Sequence, residues 1–452
     1  MAIVCIGLLP EAQGVSPPPP EGYPNFTTAA GDKALQILTS GAANTAVGNF
    51  SLFSVTTGNS NTAVGAGALD LNTGDENTAV GTAALLLNTI GADNTAVGTA
   101  ALENNTADRN TATGAFALFS NTTGTRHTAV GFQTLQNCIA PPDFAGNTAV
   151  GTQALFSDTT GNFNTAIGDA AMKLNTTGVN NTAIGLDALV FNDTGNSNTA
   201  TGANALFNNT GGAGNTATGS NALFNNATGN SNTAVGNTVL TANVSGSFHT
   251  AVGFQALLNS TGNGNTAFGA GAGGSVITAN NVIAIGSAAA DVSDSCFIGN
   301  IRGVTTAITD AIPVLIDSAG QLGTLSSSAR FKNEIKPMDK ASEAILALKP
   351  VTFHYKNDKK NTPQFGLIAE EVAKVNQDLV VGDKNGEIYT VRYDQVNAML
   401  LNEFLKEHRK VEDLEANAAR QQKQIEALTA GLQKVSAQLE ASKPAPQVVN
   451  NP

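Results

Sequence analysis

Charged and large aromatic side chains are scarce in this chain. Its 452 residues include no tryptophan, and only 13% of them are charged. Of the 23 lysine and arginine residues, five precede Ser327 and 18 follow it, whereas the acidic residues divide into 18 before and 17 after. The part before Ser327 is therefore strongly acidic, and this charge argues against nucleic acid or an anionic membrane surface as its partner.

Cysteine is also scarce. The three residues Cys5, Cys138 and Cys296 lie far apart and form no CxxC motif and no His/Cys cluster. This spacing indicates neither a zinc site nor a dense disulfide framework. We predict isolated, partly buried thiols, with a bridge between Cys138 and Cys296 as the open alternative, and we predict no metal and no cofactor.

Long apolar runs are missing as well, so we predict no membrane span. The apolar start from Met1 to Leu9 is too short to cross a bilayer. It leads into Ala12-Gln13-Gly14, a pattern that fits signal-peptide cleavage although a basic n-region is missing, and Pro17 to Pro20 predict a stiff spacer. We interpret residues 1–22 as a signal-like segment and a proline-rich linker, which predicts a secreted or cell-surface protein; a virion tail fibre is the alternative.

Glycine, in contrast, is abundant, and many of the 47 glycines belong to an internal repeat. The motif Asn-Thr-Ala-Val-Gly, or a close variant, recurs every 16 or 17 residues, with one interval of 20 in which Cys138 to Pro142 should bulge out as a loop. A period this short indicates a solenoid, which we assign to residues 23–303. The fourteen copies start at residues 44, 61, 77, 94, 110, 127, 147, 164, 181, 198, 215, 232, 249 and 265.

Each copy predicts one coil with a short strand. Side chains alternate along a strand, so the Thr and Val of the motif share one face and the Ala lies on the other. We predict that Thr and Val point inward, beside a leucine that follows the motif glycine by four residues. The alanines would then form an outward strip. Coils this thin bury little apolar surface alone, so we expect three chains to pack along that strip.

A variant of the motif, Asn281 to Gly286, has isoleucine in place of Thr and Val. With the repeats before it, this variant resembles the head of trimeric autotransporter adhesins. The resemblance implies a homotrimer of left-handed parallel β-rolls. The predicted fold is therefore mainly β: a parallel β-roll or β-solenoid, followed by an α+β domain that ends in a coiled coil.

Histidine replaces the first Asn of the motif in two copies, at His127 and His249. Several coils separate the two residues, so they cannot share a metal ion, and we predict stacked polar caps. Acidic residues such as Asp70 and Asp169 occupy variable positions in the coils. The pair of carboxylates that a glycoside hydrolase needs does not recur.

The segment from Ser326 to Lys332 separates the two parts of the chain. Ser327 and Lys332 stand five residues apart, and a lysine amine that burial keeps neutral can act as a general base toward a serine hydroxyl. The spacing by itself is weak evidence, because serine-rich linkers followed by basic residues are common. The residues downstream strengthen it.

Three downstream segments, Arg330 to Ile335, Ala344 to Tyr355 and Phe365 to Val372, occur in a distinctive order. This order resembles the C-terminal intramolecular chaperone of endosialidases and phage tail spikes, a family of self-cleaving serine peptidases. The resemblance covers about residues 327 to 440. It implies a trimeric chaperone that templates a β-helical fibre upstream and then releases itself.

The same resemblance implies roles for individual residues. Ser327 matches the nucleophile, Lys332 its base and Arg330 the arginine of the motif. The cut would fall between Ser326 and Ser327. Ser328 departs from the family pattern, since many phage members carry an aspartate at that place.

The remaining C-terminal segments predict a small mixed domain. Residues 304–326 are typical of a neck hairpin. Within the chaperone domain, residues 327–403, we predict an amphipathic helix from Ser342 to Leu348, a strand from Val351 to Tyr355 and a second helix from Ile368 to Val375.

A heptad pattern of apolar residues follows from Phe404. It predicts a left-handed coiled coil over residues 404–443. The heptad pattern does not distinguish a coiled coil of two helices from one of three. The thin coils upstream favour three. Residues 444–452 contain three prolines and are predicted to be disordered.

Together these patterns predict a trimeric surface or tail fibre. It would bind a surface glycan or receptor, and its C-terminal chaperone would release itself. Two alternatives belong to other classes: a polysaccharide-degrading tail spike, and an ice-binding solenoid with a ladder of threonine hydroxyls. The inward orientation predicted for the threonines argues against the second.

Overall fold

The computed structural model describes residues 25–139, 146–308, 310–317, 319–383 and 385–443. The signal-like segment, most of the predicted bulge after Cys138 and the C-terminal tail lie outside these residues. The described residues form two compact units, which divide between Thr305 and Thr306.

The first unit is a parallel β-solenoid, as predicted. It has seventeen three-residue strands, and each strand except the last pairs in parallel with the next one along the chain. At about 4.8 Å per coil the stack is roughly 75 to 80 Å long. The strands are β1 Thr28–Ala30, β2 Thr45–Val47, β3 Thr62–Val64, β4 Thr78–Val80, β5 Thr95–Val97, β6 Thr111–Thr113, β7 Thr128–Val130, β8 Thr148–Val150, β9 Thr165–Ile167, β10 Thr182–Ile184, β11 Thr199–Thr201, β12 Thr216–Thr218, β13 Thr233–Val235, β14 Thr250–Val252, β15 Thr266–Phe268, β16 Ile283–Ile285 and β17 Cys296–Ile298.

The orientation predicted for the strand side chains is wrong. In strands β2 to β16 the middle alanine is fully buried, as at Ala46, whereas the last residue is exposed in most of them, as at Val47 with 40% of its surface accessible. The threonines share the outward face and are partly exposed in most strands. Alternation groups Thr with Val correctly, but it does not say which face points inward.

The interior is filled by leucine and alanine. The predicted leucine ladder is confirmed: these side chains are fully buried, for example Leu189 and Leu206. Leu206 has a φ of 52°, a left-handed conformation that costs a leucine about 1 to 2 kcal/mol and that burial of its side chain offsets. Alanine suits the inner strand position, because a rank of valines there would overfill a close-packed interior.

The motif glycine closes the turn after each strand. Gly185 has a φ of 137°, and a Cβ at this position would lie 2.7 Å from the carbonyl oxygen of Gly202 in the next coil. A contact this short has no room for a side chain. The stacking of the coils therefore explains why all fourteen copies keep this glycine.

Two ranks of buried asparagine run along the interior. The first asparagine ladder consists of the first residue of each motif, and the second asparagine ladder of the residue eleven positions later. All of these side chains are fully buried. The first ladder comprises residues 44, 61, 77, 94, 110, 147, 164, 181, 198, 215, 232 and 265, and the second residues 72, 88, 105, 121, 175, 192, 209, 226 and 243.

The second unit contains three two-stranded antiparallel sheets and all the helices found among the described residues. Its buried core is formed by Val372, Leu379, Val391 and Met399. The elements are strands β18 Leu315–Ile316, β19 Leu322–Gly323, β20 Val351–Phe353, β21 Gln364–Gly366, β22 Val380–Gly382 and β23 Ile388–Val391, helices α1 Ala369–Val375 and α2 Tyr393–Ala441, and 3₁₀ helices Ala329–Phe331, Asp339–Ala347 and Gln377–Leu379. The sheets pair β18 with β19, β20 with β21, and β22 with β23.

Helix α2 is 49 residues long. Its first turns pack against the 3₁₀ helix Asp339–Ala347, and Met399 and Glu403 are its buried residues. Beyond Lys406 the helix is exposed. Among the described residues no helix is both long enough and apolar enough to cross a membrane.

Candidate functional site

Ser327 and Lys332 meet across one short turn. The carbonyl oxygen of Ser328 accepts a hydrogen bond from the N–H of Phe331 at 3.1 Å, and the carbonyl oxygen of Ala329 accepts one from the N–H of Lys332, also at 3.1 Å. This 3₁₀ turn reverses the chain. As a result Lys332 Nζ donates a hydrogen bond to Ser327 Oγ at 3.2 Å.

The other residues of the segment lie around this pair without touching its polar atoms. The guanidinium of Arg330 stacks on the ring of Phe331, 4.6 Å from its centroid. Ser326 Oγ accepts a hydrogen bond from the N–H of Ser328 at 3.4 Å. Arg330 thus contacts its neighbour Phe331, while the carbonyl of Ser326 directly precedes Ser327.

The whole segment from Ser326 to Lys336 is exposed in the single chain. A primary amine accepts a proton only in its neutral form, which burial favours and water disfavours. The pair thus has the geometry of a nucleophile and its base.

A second cluster of serine and lysine was not recognised in the sequence. Ser342 is fully buried, and its Oγ is hydrogen-bonded to Glu403, to Asn402 Nδ2 at 2.7 Å and to Lys406 Nζ at 3.3 Å. Hydrogen bonds from Lys406 and Ser342 lower the pKa of the Glu403 carboxyl. This network links the 3₁₀ helix Asp339–Ala347 to α2. About sixty residues of sequence separate Ser342 from its partners in α2, so no local sequence pattern predicts the network.

The solenoid places its histidines differently from the prediction, whereas its two described cysteines form no disulfide, in line with the isolated thiols predicted. His127 and His249 are buried within the first asparagine ladder and do not cap its surface. Cys138 is buried and Cys296 is exposed in β17, about ten coils further along the stack, so a bridge between them is out of reach. The described residues contain no cluster of three His, Cys, Asp or Glu side chains that could hold a metal ion.

Comparison with known proteins identifies the segment that contains the pair. Residues 327–381 match the family model described as chaperone of endosialidase. The match begins at Ser327 and includes Lys332, and it confirms the resemblance seen in the sequence. A search of curated proteins found no match, and neither did a search of solved structures.

Proposed function

We propose that this chain, a β-solenoid followed by an endosialidase-type chaperone domain, is one subunit of a trimeric surface or tail fibre. The C-terminal unit drives trimerisation and folding of the solenoid. It then releases itself by cutting the bond between Ser326 and Ser327. The observation that carries the proposal is the 3.2 Å contact between Lys332 Nζ and Ser327 Oγ, at the residue where the family match begins.

The proposed cut uses only groups of the chain and water. The neutral amine of Lys332 takes the hydroxyl proton while Ser327 Oγ attacks the carbonyl carbon of Ser326. The bond to the Ser327 nitrogen breaks, and that nitrogen takes up the proton, which leaves an ester. Water then hydrolyses the ester, so the solenoid ends in the Ser326 carboxylate and Ser327 becomes a new N-terminus.

The outward strand face of the solenoid supports the trimer. Its last position is Val, Ile or Phe in most strands, and these side chains remain about 40% exposed, as at Ile184. An apolar stripe of this kind, interrupted by threonine in β6, β11 and β12, marks an association surface. The contact strip between the chains is therefore this Thr and Val face and not the alanines, which lie inside.

Helix α2 supports the trimer independently. Its heptad residues from Phe404 to Leu439 are exposed, for example Leu428 at 69% and Leu432 at 71%. A helix of this length with an unpaired apolar stripe gains its stability from partners. Chaperone domains of the endosialidase type act in trimeric assemblies, so three helices are the expected number.

Assembly and cutting would then be coupled. The Ser326 to Lys336 segment is open to water in one chain, and neighbouring chains in the trimer would cover it. Covering the segment favours the neutral amine of Lys332 that the reaction needs. The cut would in this way report that the fibre has assembled.

The test is a denaturing gel of the purified protein beside substituted forms. Ser327→Ala and Lys332→Ala should each leave the full-length chain, whereas the parent should yield the solenoid and residues 327–452. Lys332→Arg should also stay uncut, because a guanidinium does not give up its proton at usable pH.

Ser326→Ala and Ser328→Ala are the matched controls, since each removes a neighbouring hydroxyl and should still be cut. The N-terminal sequence of the small product should begin at Ser327. Processing of Ser327→Ala at the same bond as the parent would mean that a separate protease makes the cut.

The mature solenoid would bind a surface glycan or receptor and act outside the cell or on a virion. A polysaccharide-degrading tail spike is distinguished by a clearing assay on polysaccharide. The outward threonines now also favour the ice-binding alternative, because the hydroxyls of Thr199 and Thr201 stand on an exposed face. The trimer would cover that face, so thermal hysteresis from a monomeric solenoid would support the ice-binding alternative and count against the fibre.

A further inference from the structure

Two coils of the solenoid break the first asparagine ladder in the same way. His127 and His249 each take the place of an asparagine, and both are fully enclosed, with 1% of their surface accessible. Eleven residues later each coil also departs from the usual asparagine and carries a smaller side chain, Cys138 or Ser260. The larger ring is thus accommodated by a smaller neighbour.

In the other coils the first asparagine ladder is held by hydrogen bonds between groups that do not titrate. The backbone N–H of each asparagine donates to Oδ1 of the asparagine one coil before it, as from Asn198 to Asn181 at 2.9 Å and from Asn215 to Asn198 at 3.0 Å. An amide oxygen accepts at any pH that a protein survives.

In the two exceptional coils the acceptor is an imidazole nitrogen. The N–H of Asn147 donates to His127 Nδ1 at 3.3 Å, and the N–H of Asn265 donates to His249 Nδ1 at 3.2 Å. Nδ1 accepts only while it carries no proton. In a protonated ring Nδ1 also carries a proton, and its N–H would point at the backbone N–H of the asparagine. These two contacts, which we call the histidine joints, therefore exist only with neutral histidine.

We propose that the histidine joints are acid-labile points of the rod, at which proton uptake by His127 and His249 separates neighbouring coils while the asparagine coils stay stacked. They lie seven coils apart. The rod would therefore open at two defined places in acidic surroundings.

The two rings differ in the titratable groups near them. His127 Nε2 lies 3.7 Å from Cys138 Sγ, and the joint partner Asn147 donates to the buried Asp158 at 2.9 Å. The side chains hydrogen-bonded around His249 are neutral. Asn232 Oδ1 accepts a hydrogen bond from the backbone N–H of His249, and Asn265 Nδ2 donates one to Ser260 Oγ. Within the described residues Asn243 Oδ1 of the preceding coil is buried without a hydrogen-bond partner, while backbone groups of Gly262 and Asn265 hydrogen-bond the His249 ring.

The direction of the pH effect follows from burial. Burial lowers the pKa of His127 from the usual 6.5 to about 4, and it lowers the pKa of His249 as well. The unfolded chain takes up these protons near 6.5 and the folded coil does not, so stability falls as the pH drops below 6.5 and the loss at His127 is complete near 4.

Asp158 acts in the opposite sense at the first joint. Burial raises the pKa of its carboxyl well above the ordinary value, although hydrogen bonds from Asn175 and Asn147 partly oppose the rise. Acid therefore favours the folded form at Asp158 and partly cancels the effect of His127. Within the described residues no carboxyl group hydrogen-bonds the groups of the His249 joint, so its response to acid is not opposed in this way.

The test is amide hydrogen exchange, resolved by segment, on the intact protein between pH 7.5 and 4.5 after correction for intrinsic exchange rates. Protection of residues 249–265 should fall toward about tenfold per pH unit below 6.5 for one proton taken up. Residues 198–215, an all-asparagine stretch, should keep their protection over the same range.

The matched control is the double substitution His249→Asn with Ser260→Asn, which recreates the arrangement of Asn232 and Asn243 one coil earlier. It should abolish the pH-dependent loss at residues 249–265, and His249→Asn alone gives a second form with the same expectation. The proposal is overturned if the double substitution loses protection at the same pH as the parent, or if the parent keeps this segment protected down to pH 4.5.

Discussion

Ala200 and Thr201 are neighbours in β11 and lie on opposite sides of the solenoid wall. Ala200 is fully buried, between Ala183 and Ala217 of the adjoining strands, whereas Thr201 faces outward beside Ile184 and Thr218. The two positions respond to added volume in different ways, because only the inner one is bounded by packed side chains.

We therefore expect Ala200→Val to lower the free energy of unfolding of the solenoid by about 1 to 3 kcal/mol, as overpacking does. Thr201→Val, the matched change in the same strand, places outside the residue that most coils already carry, and it should be neutral or slightly stabilising. Thermal unfolding of the two forms measures the difference. Equal destabilisation by both changes would contradict the orientation of the strand.

Helix α2 is the element that leaves the longest apolar stripe uncovered in the single chain. Its N-terminal turns are held by the buried contact between Ser342 and Glu403, and its later turns present Leu428 and Leu432 to water. Such a stripe is stable in solution when other helices cover it. The helix is thus the element through which chains would first recognise each other.

The double substitution Leu428→Asp with Leu432→Asp should abolish trimer formation, because three copies would bury like charges in the seam. Sedimentation should then give the mass of one chain, and the bond before Ser327 should stay uncut. The control Ala430→Asp with Gln433→Asp adds the same charge off the stripe and should leave a cut trimer. A trimer that survives the seam substitution would show that the helices do not hold it together.

The chain combines a solenoid, whose coils have little local preference for their folded conformation, with a C-terminal unit that has a compact core. Stacking contacts between parallel coils stabilise the chain only after several coils have aligned. Folding of such a stack is therefore slow, and it exposes apolar edges. Residues 23–326 expressed alone should therefore aggregate, while the solenoid released by cutting after assembly should stay soluble and resist heating.

Centrifugation and thermal unfolding of the two preparations check this expectation. The released rod should sediment at three times the mass of one chain. A soluble, folded trimer from the shortened chain would mean that the C-terminal unit is not needed as a template.

Much of the architecture could be read from residues that repeat. The fourteen motifs predicted a parallel solenoid, since a strict period forces each coil onto the one before it, and the segment that starts at Ser327 predicted an endosialidase-type chaperone. The five-residue spacing of Ser327 and Lys332 is local, so one turn of backbone suffices to bring the two side chains together.

The tertiary structure decided the questions that depend on space and on distant residues. Alternation within Thr-Ala-Val leaves two possible orientations, and the volume beside Leu206 selects the one with alanine inside. The asparagine ladders, the histidine joints and the contact of Ser342 with Glu403 join residues in different coils or elements. A linear pattern does not contain such contacts, because they arise only when packing brings separate parts of the chain to one place.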